Sequence, residues 1–268
     1  MLPEIPMKKS VVLLAMLFFL LPLAHAGWVI KEQSRFTDTR KKQKRKVFAQ
    51  DYFIRFDEED LTTIINLNTG IIRFYDPRKK VYWEGTIDDY DKDMAVLLRE
   101  QFMKKISDYS PSEKAQAMKS FERMLKQLQL PDSTVILHDQ LLIQVTQTRE
   151  GKEIAGFPTR VYTVYVNQIP VEDDWIAPDL ELLRLPMLER YYDIFNRITK
   201  YYEQGFHYRS HPRYIYMQTR GYPMRVKEYG YGYEVITEVK RVKQRKLSDS
   251  VFGLPGHPRK VTLKELNE

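Results

Sequence analysis

Along the chain, short segments of alternating apolar and polar residues give way twice to stretches with helical spacing. That order predicts an α+β protein. Residues 27–36 and 47–56 read as strands. In the second, Phe48, Tyr52, Ile54 and Phe56 occupy even positions while Asp51 and Arg55 alternate with them, giving one dry face and one wet face. Residues 61–67, the turn Asn68-Thr69-Gly70 and residues 71–75 predict a hairpin, because Asn and Gly tolerate the positive φ of a tight turn. Val81-Tyr82-Trp83 adds a short strand. From Met94 the spacing changes. Leu97, Leu98, Phe102 and Ile106, then Met118, Phe121, Leu125 and Leu128, mark two amphipathic helices separated by Ser110-Pro111-Ser112. Strand period returns over 135–145 and 161–166. A longer helix is expected over 178–204, where Leu182, Leu185, Leu188, Tyr192, Phe195 and Ile198 recur at helical spacing and Pro186 should kink or split it. Strands are expected over 214–219, 222–228 and 233–242, followed by a tail with Pro255, Gly256 and Pro258. No repeat or linker divides this pattern, so residues 27–268 read as one domain with helical insertions near 89–130 and 178–204.

The first residues carry a different signal. Lys8 and Lys9 precede an apolar run over 11–23 and the small-x-small triplet Ala24-His25-Ala26, the order of a secretory signal peptide. The run is shorter than the roughly 20 residues a spanning helix needs. Residues 1–26, starting at Met1 or Met7, are therefore expected to be removed between Ala26 and Gly27, leaving a periplasmic or secreted protein. The absence of Cys excludes disulfides, thiolate metal sites and a cysteine nucleophile.

Charge then acquires a meaning. Lys and Arg number 43 against 36 Asp and Glu, a net +7, and outside the cytoplasm such a surface meets anionic lipid or cell-wall polymer rather than nucleic acid. The densest run, Arg40 to Lys46, reads in two ways. It is either a solvated loop whose charges keep an exposed strand from pairing, or a contact with an anionic membrane through Lys42, Lys44 and Lys46. The 18 Tyr favour strands and also suit protein interfaces.

Five phrases in this order carry a family resemblance: Ser34-Arg35-Phe36; Thr63-Ile64-Ile65-Asn66-Leu67-Asn68-Thr69-Gly70; Lys152-Glu153-Ile154-Ala155-Gly156-Phe157-Pro158-Thr159-Arg160-Val161-Tyr162; Asp174-Trp175-Ile176-Ala177; and Gly221-Tyr222-Pro223-Met224. Together they resemble an exported bacterial family related to the LolA/LolB-like lipoprotein carriers. The resemblance implies an incomplete antiparallel β-barrel with helical segments over a concave apolar face that can hold acyl chains. The chain departs from the carrier by its length and larger helical segments, and no position takes the carrier's functional arginine.

Motifs for chemistry are sparse. Asp89, Asp91, Asp93 and Glu100 reproduce calcium-loop spacing, but Met94 stands where the loop needs Gly, so acidic residues opening a helix are the better reading. His207 and His211 lack a third ligand. Glu172-Asp173-Asp174 offers paired carboxylates, although an acidic turn is the commoner meaning. No nucleophile motif or phosphate-cradling loop occurs. The expectation is a non-catalytic protein without metal or cofactor that binds a lipid or other apolar ligand, as carrier or sensor. Its groove would be lined by Phe48, Tyr52, Ile54, Phe56, Ile65, Val164 and Met217. A cell-envelope structural or protein-interaction module and, behind it, an envelope-polymer hydrolase are the alternatives.

Overall fold

The computed structural model describes residues 27–129, 142–183, 185–201, 207–230 and 233–268. The expected signal peptide with Ala26, and most of the strand expected over 135–145, lie outside them. Twelve strands form one sheet: β1 Gly27–Phe36, β2 Lys42–Gln50, β3 Phe53–Asp57, β4 Thr62–Asn66, β5 Ile71–Asp76, β6 Val81–Gly85, β7 Ile143–Glu150, β8 Arg160–Val166, β9 Ile169–Ala177, β10 Tyr222–Tyr229, β11 Glu234–Arg245 and β12 Arg259–Lys260. Their order is β12-β6-β5-β4-β3-β2-β1-β11-β10-β9-β8-β7. Only the β12–β6 pair is parallel. The end strands β12 and β7 do not pair with each other, so the sheet stays open. The expected α+β class and a large, mostly antiparallel sheet that fails to close are both observed.

Helices α1 Ile87–Lys105, α2 Pro111–Gln129, α3 Leu185–Thr199, α4 Pro212–Gln218 and α5 Leu263–Asn267, with single 3-10 turns at His207–Ser210 and Asp249–Phe252, complete the described elements. Thr86 caps α1: its hydroxyl accepts the Asp89 N–H at 3.2 Å while the Asp89 carboxylate accepts the Thr86 N–H at 2.9 Å. The acidic run is thus a helix start with its own partners, and Asp93 accepts the Trp83 indole N–H at 2.7 Å. The helix expected over 178–204 spans only Leu185–Thr199, and Pro186 is its second residue, in the turn where a missing N–H costs nothing, so it marks the helix start and no kink arises. No helix among the described residues is long and apolar enough to cross a membrane.

Three expected elements differ. The segment 47–56 is two strands, because Asp51 (φ 53°) and Tyr52 turn the chain so that Gln50 faces Phe53. The basic run is not a loop: residues 42–46 lie within β2, and the turn is confined to 37–41. Residues 214–219, rich in β-forming Tyr and Ile, are mostly helical. His211 accepts the Arg213 N–H, Pro212 presets the first turn, and burial of Tyr214 and Met217 against the sheet outweighs strand propensity.

One sheet face, here the inner face, is covered by helices. Ile30, Val47, Ile54, Ile65, Ile72, Phe74 and Trp83 meet Tyr90 and Met94 of α1 and Ile194 of α3 in the main core. Ile143, Tyr162, Val164 and Ile176 meet Tyr192, Tyr208, Tyr214 and Met217 in a second cluster. Helix α2 packs on α1 instead of the sheet, with Phe102 and Phe121 stacked at 4.2 Å and Arg99 bonded to Glu122. On the outer face, Leu247 and Phe252 of the C-terminal segment cover Val29, Phe48 and Ile64.

Candidate functional site

Between the inner face and α3 lies a cavity of about 180 Å³. That is the scale of an internal cavity that accepts a benzene-sized molecule, ~150 Å³. Its apolar wall comes from Val47, Ala49, Ile54 and Phe56 below, and from Leu182, Leu183 and Leu188 above. Strand alternation and register explain the floor: Val47 faces Phe56 and Ala49 faces Ile54 across the β2–β3 ladder, so all four point inward. The Tyr191 and Tyr192 rings close one side, Tyr191 lying 6.1 Å from Phe56.

The opposite wall is polar. Glu32, only 5% exposed, accepts the Arg45 guanidinium N–H at 2.8 Å and the Tyr222 hydroxyl at 2.6 Å. Burial, then the Glu32 charge, pushes the Tyr222 phenol well above its ordinary range, and burial raises Tyr191 to about 12. Ser34 and Thr237 share a hydrogen bond of 2.8 Å along the same strands. Gly221 (φ 142°) allows the chain to enter β10 here, since a Cβ would collide with the Ala177 carbonyl.

Helix α3 is tied down at both ends. Near its start, Arg190 donates to the Asn68 carbonyl in the β4–β5 turn, where its guanidinium fills the space a side chain at Gly70 would need. At its end, buried Asp91 of α1 accepts from Arg197, Lys200 and Tyr201.

Beside the cavity is a buried carboxyl pair. The expected acidic turn 172–174 is part of β9, so period two sends Glu172 and Asp174 inward and Asp173 outward, where it accepts from Thr163 and Tyr229. Glu172 accepts the hydroxyls of Tyr208 (2.6 Å) and Tyr214 (2.8 Å) and two N–H groups of Arg209. Burial alone would raise its pKa; the Arg209 charge and these donors outweigh burial and hold it below the usual carboxylate range. Asp174 finds no donor among the described residues. Burial, then the neighbouring Glu172 charge, pushes it well above that range, which favours its protonated form.

The seven residues expected to line one groove separate. Ile54 and Phe56 line the cavity. Ile65 faces the same way but is packed into the main core. Tyr52 sits in the two-residue turn and is 48% exposed. Phe48 faces outward against Phe252, because the turn reverses the phase of the alternation between β2 and β3. Val164 and Met217 belong to the tyrosine-rich second core, Met217 from a helix and not a strand. Sequence reasoning did not single out Leu183 or Tyr191, and it marked Leu182 and Tyr222 only as part of a helical stripe and of a family phrase, not as cavity residues. Helical spacing marked Leu188 and Tyr192 as apolar without showing which strands they would meet. Among the described residues, no group of His, Asp and Glu is arranged to hold a metal ion.

No protein-family model matches the chain, and no curated protein matches it. Among solved structures it is similar to one of PNGF-II, at 11% identity and a TM-score of 0.40, over 90% of this chain and 32% of that one. The chain thus spans about a third of that structure's length.

Proposed function

We propose that the protein is an exported, non-catalytic binding protein that takes an apolar or amphiphilic ligand, such as one end of a lipid, into the cavity under α3. The observation that carries this reading is the cavity's division into a wall of Val47, Ala49, Ile54, Phe56, Leu182 and Leu183 and a wall of Glu32, Arg45, Tyr222 and Thr237. An apolar body with a few placed polar groups is the pattern of small-molecule sites. The cavity's size suits a ring or the end of an acyl chain, and a longer chain requires α3 to lift. An open sheet with a helix over its inner face is the arrangement the likeness to LolA/LolB-like carriers implies, and it supports the same reading. The buried carboxyl pair favours binding over hydrolysis, because Glu172 is saturated with donors and neither carboxyl lines the cavity.

An environment-sensitive fatty-acid probe tests the proposal. The parent protein should enhance probe fluorescence saturably. Val226→Phe, which places a ring in the cavity from β10, should abolish that signal while the circular dichroism spectrum is retained. A parent that never binds the probe, or a folded Val226→Phe protein that binds it undiminished, overturns the reading.

A further inference from the structure

The outer face of the central strands bears a lattice of cations that the fold does not use. Strands β2, β1 and β11 occupy the middle of the sheet, so these charges do not guard an edge. Register places Lys46 and Arg241 on either side of Lys31, each directly opposite it, and Lys42 directly opposite Arg35. Lys44 stands between the two rows, beside Gln33. None of these six cations forms an ion pair among the described residues. The bordering acids each hold another cation: Asp57, directly opposite Lys46, bonds Arg55, Glu58 meets Arg45, Glu59 meets Arg78, and Glu238 meets Arg225 and Lys240. Lys46 lies over the Phe48 ring, which orients it without neutralising it. Like charges placed directly opposite each other destabilise a sheet. The central ladder therefore retains three unfavourable pairs where neutral residues would fold better.

We infer that this face is a docking platform for an anionic membrane surface. Strand geometry spaces the cations ~7 Å apart along β2, ~13 Å apart along β1 and ~5 Å between strands, a two-dimensional array that meets a plane of phosphate headgroups. A single-stranded nucleic acid would call for stacking rings along a groove, and no exposed aromatic side chain occupies the strand positions between these cations. The cavity opens from the other face of the same strands, so the inference is independent of what the cavity binds.

The test is co-sedimentation of the full chain with phosphatidylcholine vesicles, with and without about one-third phosphatidylglycerol. The parent should bind only the anionic vesicles and release them as salt rises. The triple variant Lys31→Gln/Lys44→Gln/Arg241→Gln should bind about 150-fold more weakly, the equivalent of about 3 kcal/mol at roughly 1 kcal/mol per cation. It should also unfold at a temperature no lower than the parent, because repulsion has been removed. A charge-matched triple on α2, Lys119→Gln/Arg123→Gln/Lys126→Gln, should bind like the parent. Should the first triple fail to fold, the exposed pair Lys42→Gln/Lys44→Gln replaces it, with about a 30-fold loss expected on the same scale. Equal losses in platform and α2 variants reduce the effect to net charge and overturn the inference. So does a parent that ignores anionic vesicles, whether or not it binds a soluble polyanion such as heparin.

Discussion

Glu172 and Asp174 stand two residues apart on the inner face of β9, both with no solvent exposure, and their surroundings push the two carboxyls in opposite directions, Glu172 below the ordinary range and Asp174 above it. The Arg209 charge and four donors favour the charged form of Glu172, while burial, then the Glu172 charge, favours the protonated form of Asp174. The pair makes stability depend on pH in two opposed directions. Glu172 lies below its ordinary 4.5 in the folded protein, so its contribution is present above that pH and is lost as pH falls through the folded value. Asp174 lies above its ordinary 3.8, so its contribution is complete below that pH and is lost as pH rises through the folded value. Asp174→Asn removes the titrating carboxyl and with it the second dependence. Its melting temperature should gain on the parent's between about pH 4 and the pH at which Asp174 ionises in the folded protein. Parallel melting profiles would show that no proton is retained on Asp174.

Removing the charge at Glu172 leaves Arg209, at 12% exposure, with Glu228 as its remaining carboxylate among the described ion pairs. Glu172→Gln should cost about 3–5 kcal/mol in urea unfolding, the range for breaking a buried pair from one side. Asp173→Asn, one residue away on the outer face, should cost about 1 kcal/mol. Similar losses at the two positions would contradict the alternation of β9.

The two faces of the central strands separate stability from binding. Phe48→Ala should destabilise by about 3–5 kcal/mol by loosening the segment that carries Leu247 and Phe252, and leave fatty-acid probe affinity unchanged. Ile54→Ala should cost about 2–5 kcal/mol and also change probe affinity, since Ile54 both packs in the core and lines the cavity. Denaturant titration and probe titration of the same preparations separate these outcomes.

Asp91 controls how firmly α3 is held. Asp91→Asn weakens charge-assisted bonds from Arg197 and Lys200 and should cost about 2–3 kcal/mol. Amide exchange should accelerate in α3 and not in the β4–β5 hairpin. Unaltered exchange in α3 would show that its apolar contacts alone hold it.

Processing gives a simple check of the N-terminal reading. Sequencing of the exported protein should begin at Gly27, the first residue of β1, where its partner across the ladder is Arg245. A secreted form that still carries Met1 or Met7 would count against cleavage after Ala26.

What the sequence determined by itself was whatever depends on neighbours along the chain. Alternation located β1, β8 and β10, Asn68-Thr69-Gly70 placed the β4–β5 hairpin, and helical spacing found α1 and α2 within a few residues. These patterns are local because period two and period 3.6 are set by backbone geometry. The tertiary structure alone decided the rest. Phe48 and Ile54 look equivalent in a continuous strand, and only the turn at Asp51 and Tyr52 sends them to opposite faces. Residues 212–218 have strand composition, yet contacts with β7 and β8 made them a helix. The apolar cavity, the bond between Glu32 and Tyr222 across 190 positions, and the meeting of Lys31 with Arg241 all depend on β1 pairing with β11. Pairing at that separation is selected by the total burial of the sheet, and no local stretch of sequence encodes it.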